Sequence, residues 1–360
     1  FEKYIKTLNL FIVGVGNVGS KLIEQIQKQK KYLENYLRLR IKIVAIANSK
    51  KTLVEVNGIN AKNWRKKLDK AQKTNLNDLF EKVKRLNLRN SIFIDNTADE
   101  RVSLEYKRYL ENNIGVVTCN KIACADNFIN YKTLKTVSRK FNSPFLFETN
   151  VGAGLPVIDT LSNLIASGDQ IIKIEAILSG SLNYIFNNFR IEDSFYKIVE
   201  EAMKKGLTEP DPRIDLSGID VARKILILAR ESGLEIELSD VEIDSFLPKN
   251  VHDIKETDLF LKSLKKYSSH FNSYLKSARS NKASLKYVAR LNQGKAKVGL
   301  KEIHPGHDFF NIEGSDNIIL FYTSRYKDNP LIVKGAGAGA AVTASGIFGD
   351  IIRIGKRWVK

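Results

Sequence analysis

Between residues 206 and 224 the chain sets Glu209, Asp211, Asp215 and Asp220 close to Lys224, with Pro210 and Pro212 among them. An ammonium group beside a carboxylate can give a proton to an oxygen gaining negative charge, and the remaining acids can meet a cationic ligand. The two prolines fix φ and bias the residues before them away from helix, so Glu209, Asp211 and Asp215 are expected on a stiff loop. A helix should follow, with Ser217 as N-cap and Asp220 in the first turn, where a carboxylate suits the positive end of the dipole. Asp220 and Lys224 then share a face. They interrupt an apolar series, Ile219, Val221, Ala222 and residues 225–229, that reads as a largely buried helix. A pair of this spacing is ordinarily a surface salt bridge. In a buried helix it costs free energy unless something uses it, and the acid-rich proline loop in front favours a site.

A second set of residues could hold an anionic ligand through its backbone. Gly14-Val15-Gly16-Asn17-Val18-Gly19 matches G-x-G-x-x-G, with an apolar run before it and a helical pattern after it. In that context Gly14 makes the tight turn, Gly16 admits a pyrophosphate to the main chain, and Gly19 lets helix and strand approach. The chemistry is dinucleotide binding. At the end of the second strand stand Asn48, Ser49, Lys50 and Lys51, where a carboxylate would select the free ribose hydroxyl of NAD(H). Donors and positive charge at that point favour NADP(H), unless the two lysines only decorate a surface turn. A late glycine run, 335–339, includes Gly337 and Gly339; it packs on the cofactor from another side or serves only as a tight turn.

These residues need elements to carry them. The fold class read from the sequence is α/β: a Rossmann-type dinucleotide-binding domain plus an α+β substrate and dimerisation domain. Strands are expected at 8–13, 41–47, 91–95, 115–119 and 144–148, with helices at 18–36, 76–86, 100–112 and 127–141. The rhythm changes after Gly152. A helix at 156–166, a strand at 171–178, a lysine-rich helical stretch at 256–279, strands at 285–291, 296–302 and 317–322, and a last helix at 340–354 follow. The first domain is placed at 1–150, completed by 335–360, and the second at 151–334. Strand 171–178 is too apolar for an exposed edge, which suggests a homodimer.

Composition narrows the partners. The 360 residues are 43% hydrophobic, enough for a substantial core, and carry a formal net charge of +18. That charge raises the question of nucleic acid. The lysines are dispersed along helix faces without an aromatic platform, so a solvated surface is expected and no nucleic-acid partner. No apolar run is long enough to cross a bilayer, and no signal sequence opens the chain, which points to a cytoplasmic protein with no membrane partner. Cys119 and Cys124 do not form a C-x-x-C pair and are read as reduced and packed. His304 and His307 flank Pro305 and Gly306 in a loop rather than a metal site. A start at Phe1 suggests a piece of something longer, with an upstream domain.

Six segments together, namely the Gly14 loop, residues 118–121, 148–156, 178–182, 209–224 and the Gly335 run, resemble the homoserine dehydrogenase family in the same order. The resemblance spans nearly the whole chain and is similar to the dehydrogenase portion of bifunctional aspartokinase–homoserine dehydrogenases. It implies reduction of L-aspartate 4-semialdehyde to L-homoserine with NADP(H), in threonine and methionine biosynthesis, and an aspartokinase domain upstream. By the same resemblance Lys224 donates the proton with Asp220 as its partner, and Lys121 lies beside cofactor and substrate. Glu209 and Asp215 hold the substrate amine or order the pocket, with Gly180 in the substrate-side segment, and Thr97 and Gly339 touch the cofactor. Glu148 with the carbonyls of Val151, Ala153 and Leu155 would hold a monovalent cation, sodium. One departure stands out: the family's Gly-Tyr-Thr-Glu reads Gly206-Leu207-Thr208-Glu209 here, which removes an aromatic hydroxyl near the substrate. Two rivals stay open. One is a phosphorylating semialdehyde dehydrogenase with a cysteine nucleophile; the other is a catalytically silent NADP- or nucleic-acid-binding module.

Overall fold

The computed structural model describes residues 5–190, 193–252 and 254–358. The chain forms two compact units, Phe1–Gly154 with Ala338–Lys360, and Leu155–Gly337.

The first unit is built on a seven-stranded sheet in the order β4-β3-β2-β1-β5-β6-β7. Its strands are β1 (Lys6–Val13), β2 (Leu39–Ala47), β3 (Lys51–Val54), β4 (Gln72–Lys73), β5 (Ser91–Asp95), β6 (Gly115–Thr118) and β7 (Phe145–Leu146). The run β2-β1-β5-β6-β7 is parallel. β1 from Leu8 onward and all of β5 are buried without alternation because helices cover both faces of a parallel sheet. From β1 the chain moves to β2 on one side and later returns to β5 on the other, so loops leave β1 and β5 in opposite directions. Such a switch point opens a crevice at the carboxyl ends of the strands. The helices Asn17–Tyr32 and Ala340–Trp358 both serve this core: Leu22, Ile26, Ile347 and Ile351 are buried against Leu10, Ile12, Ile92 and Ile94.

Several expectations for this unit are corrected. β3 and β4 add an antiparallel edge that the sequence reading lacked. Four half-buried residues and a two-residue bridge carry too little periodicity to be read. The first helix ends at Tyr32 and passes into a π turn, Leu33–Leu37, closed by Arg38 at φ +53°. The expected helix 100–112 is two short helices, Glu100–Ser103 and Tyr106–Glu111. Beyond the two residues of β7 the chain turns into a 3-10 helix, Glu148–Asn150.

The second unit carries a six-stranded sheet, β13-β12-β8-β10-β11-β9. Its strands are β8 (Ile171–Ile177), β9 (Glu242–Asp244), β10 (Ser284–Asn292), β11 (Lys295–Ile303), β12 (Asp316–Thr323) and β13 (Leu331–Ala336). β8 lies in the interior of the sheet, antiparallel to both β10 and β12. Its apolar character is therefore satisfied within the chain, and the edge-strand argument for a dimer falls away. Helices Gly180–Asn188, Ile219–Glu231 and Ser268–Ser280 pack on β10. On the opposite face the 304–315 loop closes over Ile177, Val288, Ile318 and Leu320 through Phe309 and Ile312.

The helices here not assigned from sequence include Gly180–Asn188 and Phe195–Lys204. The first contains Asn183, Asn187 and Asn188, poor helix formers, and is started by Ser179, whose hydroxyl accepts the Leu182 N–H at 3.2 Å. The lysine-rich stretch is two helices, Thr257–Lys266 and Ser268–Ser280. β13 absorbs Gly335 and Ala336, so the glycine run begins inside a strand and the last helix starts only at Ala340. Among the described residues no helix is long and apolar enough to cross a membrane.

Candidate active site

In the first unit the glycine loop follows β1 and is pinned on both sides by main chain. Gly14 N–H donates to Ala47 O at 2.8 Å and Asn96 N–H to Val13 O at 2.8 Å. Each glycine has its own reason. Gly14 sits at φ +91°, and a Cβ there would be 2.8 Å from the Asn96 carbonyl carbon and the Thr97 methyl. At Gly19 a Cβ would fall 2.1 Å from Gly14 O, so the helix can begin only without a side chain at that point. Gly16 differs, because a Cβ there meets nothing within 4 Å. The space beyond it is open. The helix that starts at Asn17 and runs through Val18 has no side-chain cap and no acid in its first turn, which leaves its amino-terminal N–H groups for an anion. Main chain of this form suits a dinucleotide pyrophosphate.

At the end of β2, Asn48 Oδ1 accepts from the N–H groups of Lys50 at 2.8 Å and Lys51 at 2.7 Å. This turn exposes Ser49 and Lys50, while Lys51 Nζ is turned aside to Ala71 O at 3.0 Å. Of the two lysines only Lys50 is exposed. Thr97 follows β5, donating its N–H to Asp95 Oδ1 at 2.7 Å. Lys121 follows β6 at the start of the short helix Ile122–Ala125.

The cysteines speak to one rival reading. Cys119 and Cys124 form no disulfide. Burial, reinforced by the Asp95 carboxyl, pushes the Cys119 thiol up to about 12, which withholds the thiolate an acyl-enzyme route needs. The described residues also contain no cluster of three His, Cys, Asp or Glu side chains able to hold a metal.

Around the expected cation segment, Glu148 is buried and its Oε2 lies 3.6 Å from Arg353 Nη2. Gly152 at φ +78° and Ala153 at φ +51° form two successive left-handed residues, a twist that turns neighbouring carbonyls in different directions. Asn150 is fully buried with both side-chain polar atoms unsatisfied. Oxygen donors are therefore available, but the Glu148 charge is already countered by an arginine. Leu155 opens the second unit.

In the second unit the acid-rich segment is more helical than its prolines suggest. Asp211 caps a short helix, Pro212–Leu216, with Pro212 in its first turn, so Asp215 is helical rather than on a loop. Ser217 ends that helix. The N-cap of the next one, Ile219–Glu231, is Gly218 at φ +73°. Ser217 only lends its hydroxyl to Ile219 N–H, at 3.3 Å. Gly218 is doubly required, because a Cβ there would lie 1.9 Å from the Tyr287 hydroxyl. Asp220 falls in the first turn as expected.

Lys224 and Asp220 meet. Lys224 Nζ lies 2.7 Å from Asp220 Oδ2 and donates to Leu178 O at 2.8 Å, with its side chain 12% exposed. Two of the three ammonium donors are thus committed, and the third is left for a ligand. Asp215 accepts from Ser181 Oγ at 2.7 Å and from Glu209 N–H at 2.9 Å. Burial raises its carboxyl above the ordinary range, and the nearby Asp220 charge adds to the rise. Glu209 is exposed, and no ion pair holds its carboxylate among the described residues. Gly180 begins the helix Gly180–Asn188, packed against Ser315 O, which a Cβ would approach to 3.0 Å. Gly337 leaves no room for a side chain either, since a Cβ would overlap Asn317. Gly339 takes φ +119°, open only to glycine.

Sequence reasoning missed Ser181, Tyr287 and the Leu178 carbonyl as supports of the acid–lysine set. It also missed Asp95 with Tyr106. An acid closing the apolar string of β5 was the available signal for Asp95, and Leu178 and Ser181 lie in the segment 178–182 already singled out, whereas Tyr287 sits far along the chain and had no local signal.

A switch-point crevice with an open glycine cradle defines a dinucleotide-binding unit, in a chain that also shelters a lysine–carboxylate pair. Residues 14–148 match the NAD-binding domain of homoserine dehydrogenase, and residues 156–352 match homoserine dehydrogenase itself. The chain belongs to the homoserine dehydrogenase family. Over 349 residues, 97% of its length, it is 42% identical to the bifunctional aspartokinase/homoserine dehydrogenase of Haemophilus influenzae, of which it covers 43%. It thus spans less than half the length of that relative. To the homoserine dehydrogenase of Saccharomyces cerevisiae it is 35% identical, covering 98% of this chain and 99% of the yeast protein. A crystal structure of a Candida auris protein of unknown function shares the fold with a TM-score of 0.89 at 33% identity, over 98% of this chain and 99% of that one.

Proposed function

We propose that the chain reduces L-aspartate 4-semialdehyde to L-homoserine with NADPH, with Lys224 as the proton donor. The observation that carries this is the Lys224 ammonium, sheltered, ion-paired to Asp220 and holding one donor uncommitted. Reduced nicotinamide, when bound, supplies the hydride. Lys224 then meets the negative charge that develops on the aldehyde oxygen and passes it a proton. Asp220 sets an opposite charge beside Lys224, and Leu178 O fixes its direction. Glu209, with a carboxylate free of ion pairs among the described residues, meets the substrate's α-ammonium group. Asp215 holds the Glu209 backbone in place and adds acceptor capacity. Lys121 works at the same reaction from the cofactor side, and Gly14, Gly16, Gly19, Thr97 and Gly339 seat the dinucleotide.

Preference for NADP(H) belongs to this reading and is supported by the exposed Ser49 and Lys50 where an acid would repel a 2′-phosphate. A sodium-type cation held by Glu148 and the carbonyls of Val151, Ala153 and Leu155 belongs to the same reading, and it would share the Glu148 carboxylate with Arg353. Exchange of sodium for choline should then alter thermal stability. A cytoplasmic location belongs to the same reading, and two cysteines outside any disulfide accord with a reducing compartment. An upstream kinase segment belongs to the same proposal, supported by the bifunctional name of the Haemophilus relative, and a homodimer completes it, to be tested by light scattering. The deciding assay is oxidation of NADPH with aspartate semialdehyde, run beside NADH. Absence of turnover with either cofactor ends the proposal, and a much lower KM for NADH ends the cofactor preference alone.

A further inference from the structure

We infer that Asp95 is a positioning residue: a buried carboxylate that ties the loop after β5 to the loop after β6 and so fixes Lys121. The inference rests on the reading that Lys121 acts in the reaction. Asp95 is 0% exposed and ends β5. Its Oδ1 accepts the Thr97 N–H at 2.7 Å. Its Oδ2 accepts both the Tyr106 hydroxyl at 2.5 Å and Asn120 Nδ2 at 3.0 Å. Asn120 is the residue before Lys121.

Asn120 is held by further bonds. Its Nδ2 also reaches Asp99 O at 3.0 Å, its Oδ1 accepts from Ile122 N–H at 3.1 Å, and its own N–H donates to Thr118 Oγ1 at 2.8 Å. Thr118 Oγ1 returns to the Tyr106 hydroxyl at 2.7 Å. The ring of contacts closes on itself. Lys121 therefore leaves from a main chain held on both sides, by Asn120 before it and by the Ile122 N–H after it, and Thr97 on the neighbouring loop hangs from the same carboxylate.

No cation pairs with Asp95 among the described residues, although it is fully buried. A buried carboxylate met only by neutral donors costs free energy. Burial accordingly drives its proton affinity up, against the pull of Tyr106 and Thr97. Asparagine would fill the same space with a smaller desolvation penalty but cannot accept from Tyr106 and Asn120 through one atom while also accepting the Thr97 N–H. What the carboxylate adds is two acceptor oxygens serving two loops at once. Reactions of this kind depend on placement to a fraction of an ångström, so a loosened Asn120 is expected to show in turnover.

The test compares Asp95→Asn, Tyr106→Phe, Lys121→Ala and the Asp95→Asn/Lys121→Ala double variant, in kcat per NADPH-binding molecule and in substrate KM, well below each melting temperature. Asp95→Asn should lower kcat by about tenfold or more with a smaller change in KM, and Tyr106→Phe by less. In the Lys121→Ala background Asp95→Asn should add no more than about twofold, because its effect runs through the missing side chain. Losses that multiply in the double variant overturn the inference, as does a lowered melting temperature with kcat intact. If Asp95→Asn does not fold, Tyr106→Phe in the two backgrounds decides the same question by the same comparison. Lys121→Ala with normal turnover sinks the underlying reading and this inference with it, whereas an impaired Lys121→Ala beside a normal Asp95→Asn sinks only the positioning.

Discussion

Around Gly16 the first unit meets its ligand with main chain: an uncapped helix start, no acid in the first turn, and open space where a side chain would stand. Around Lys224 the second unit does the opposite, presenting Glu209, Asp215, Asp220 and Lys224 as side chains held by one another and by Leu178 O. Backbone suits a ligand part that many enzymes share, since N–H groups recognise charge and little else. Side chains suit chemistry, because only they carry a transferable proton. The difference predicts that the two regions fail separately when mutated: weakened cofactor binding in the first, and lost turnover with cofactor binding intact in the second.

Lys224→Ala should produce the largest effect. Loss of the acid is expected to lower kcat by about 10²- to 10⁴-fold while NADPH affinity, followed by its fluorescence, stays near the parent value. A parallel loss of NADPH affinity would break the division between the regions. Gly218→Ala comes next, since it forces a β-carbon into a left-handed conformation and against the Tyr287 hydroxyl. The conformation alone costs about 1–2 kcal/mol, and the overlap adds to it. A melting temperature lower by about 5 °C or more is expected, with poor turnover, because this cap starts the helix that carries Asp220 and Lys224. An unshifted melting curve would show that the turn relaxes freely.

On the cofactor side two glycines of one loop should respond differently. Gly16→Ala meets no protein atom and should leave the melting temperature unchanged while weakening NADPH by about tenfold, the methyl standing where the pyrophosphate approaches. Gly19→Ala should lower the melting temperature as well, because its β-carbon strikes Gly14 O. Equal effects from both would mean that Gly16 is structural too.

Legibility in the sequence followed the same division. The glycine motif could be read because close approach and positive φ leave one residue type, and Gly14, at φ +91°, has both. The Asp220/Lys224 pair could be read because i,i+4 spacing is local, and the ion pair at 2.7 Å is its direct consequence. Ser217 was chosen as cap on propensity, but tertiary packing placed Gly218 there beneath Tyr287, a partner far along the chain and invisible to local pattern. The apolar run of β8 points to a covering partner from sequence because apolar content reports burial without reporting which strands supply it; β10 and β12, which do so, lie far downstream. Asp95 escaped for a similar reason: Tyr106 lies a helix away from it and Asn120 a further strand beyond.

A second lysine in the same unit offers the smallest and sharpest comparison. Lys286 is 2% exposed and donates to Asn187 Oδ1 and Ile312 O, both neutral, where Lys224 has a carboxylate. Burial lowers its ammonium to about 8, with the Glu313 charge opposing the fall only in part. The unfolded chain holds this proton up to about 10.4, so between the two values the unfolded state binds more protons and stability rises with pH. Below about pH 8 both states are protonated and the slope vanishes. Urea unfolding from about pH 7 to about pH 9.5 should therefore show the parent protein gaining stability over Lys286→Gln above about pH 8, by at most about 1.4 kcal/mol per pH unit. The window stops there because buried tyrosines such as Tyr287, whose hydroxyl is held protonated by burial, act in the opposite sense at higher pH. Parallel curves for the two proteins would mean that the loop over Lys286 admits water, and that shelter without an acid partner is less complete than the geometry around Ile312 implies.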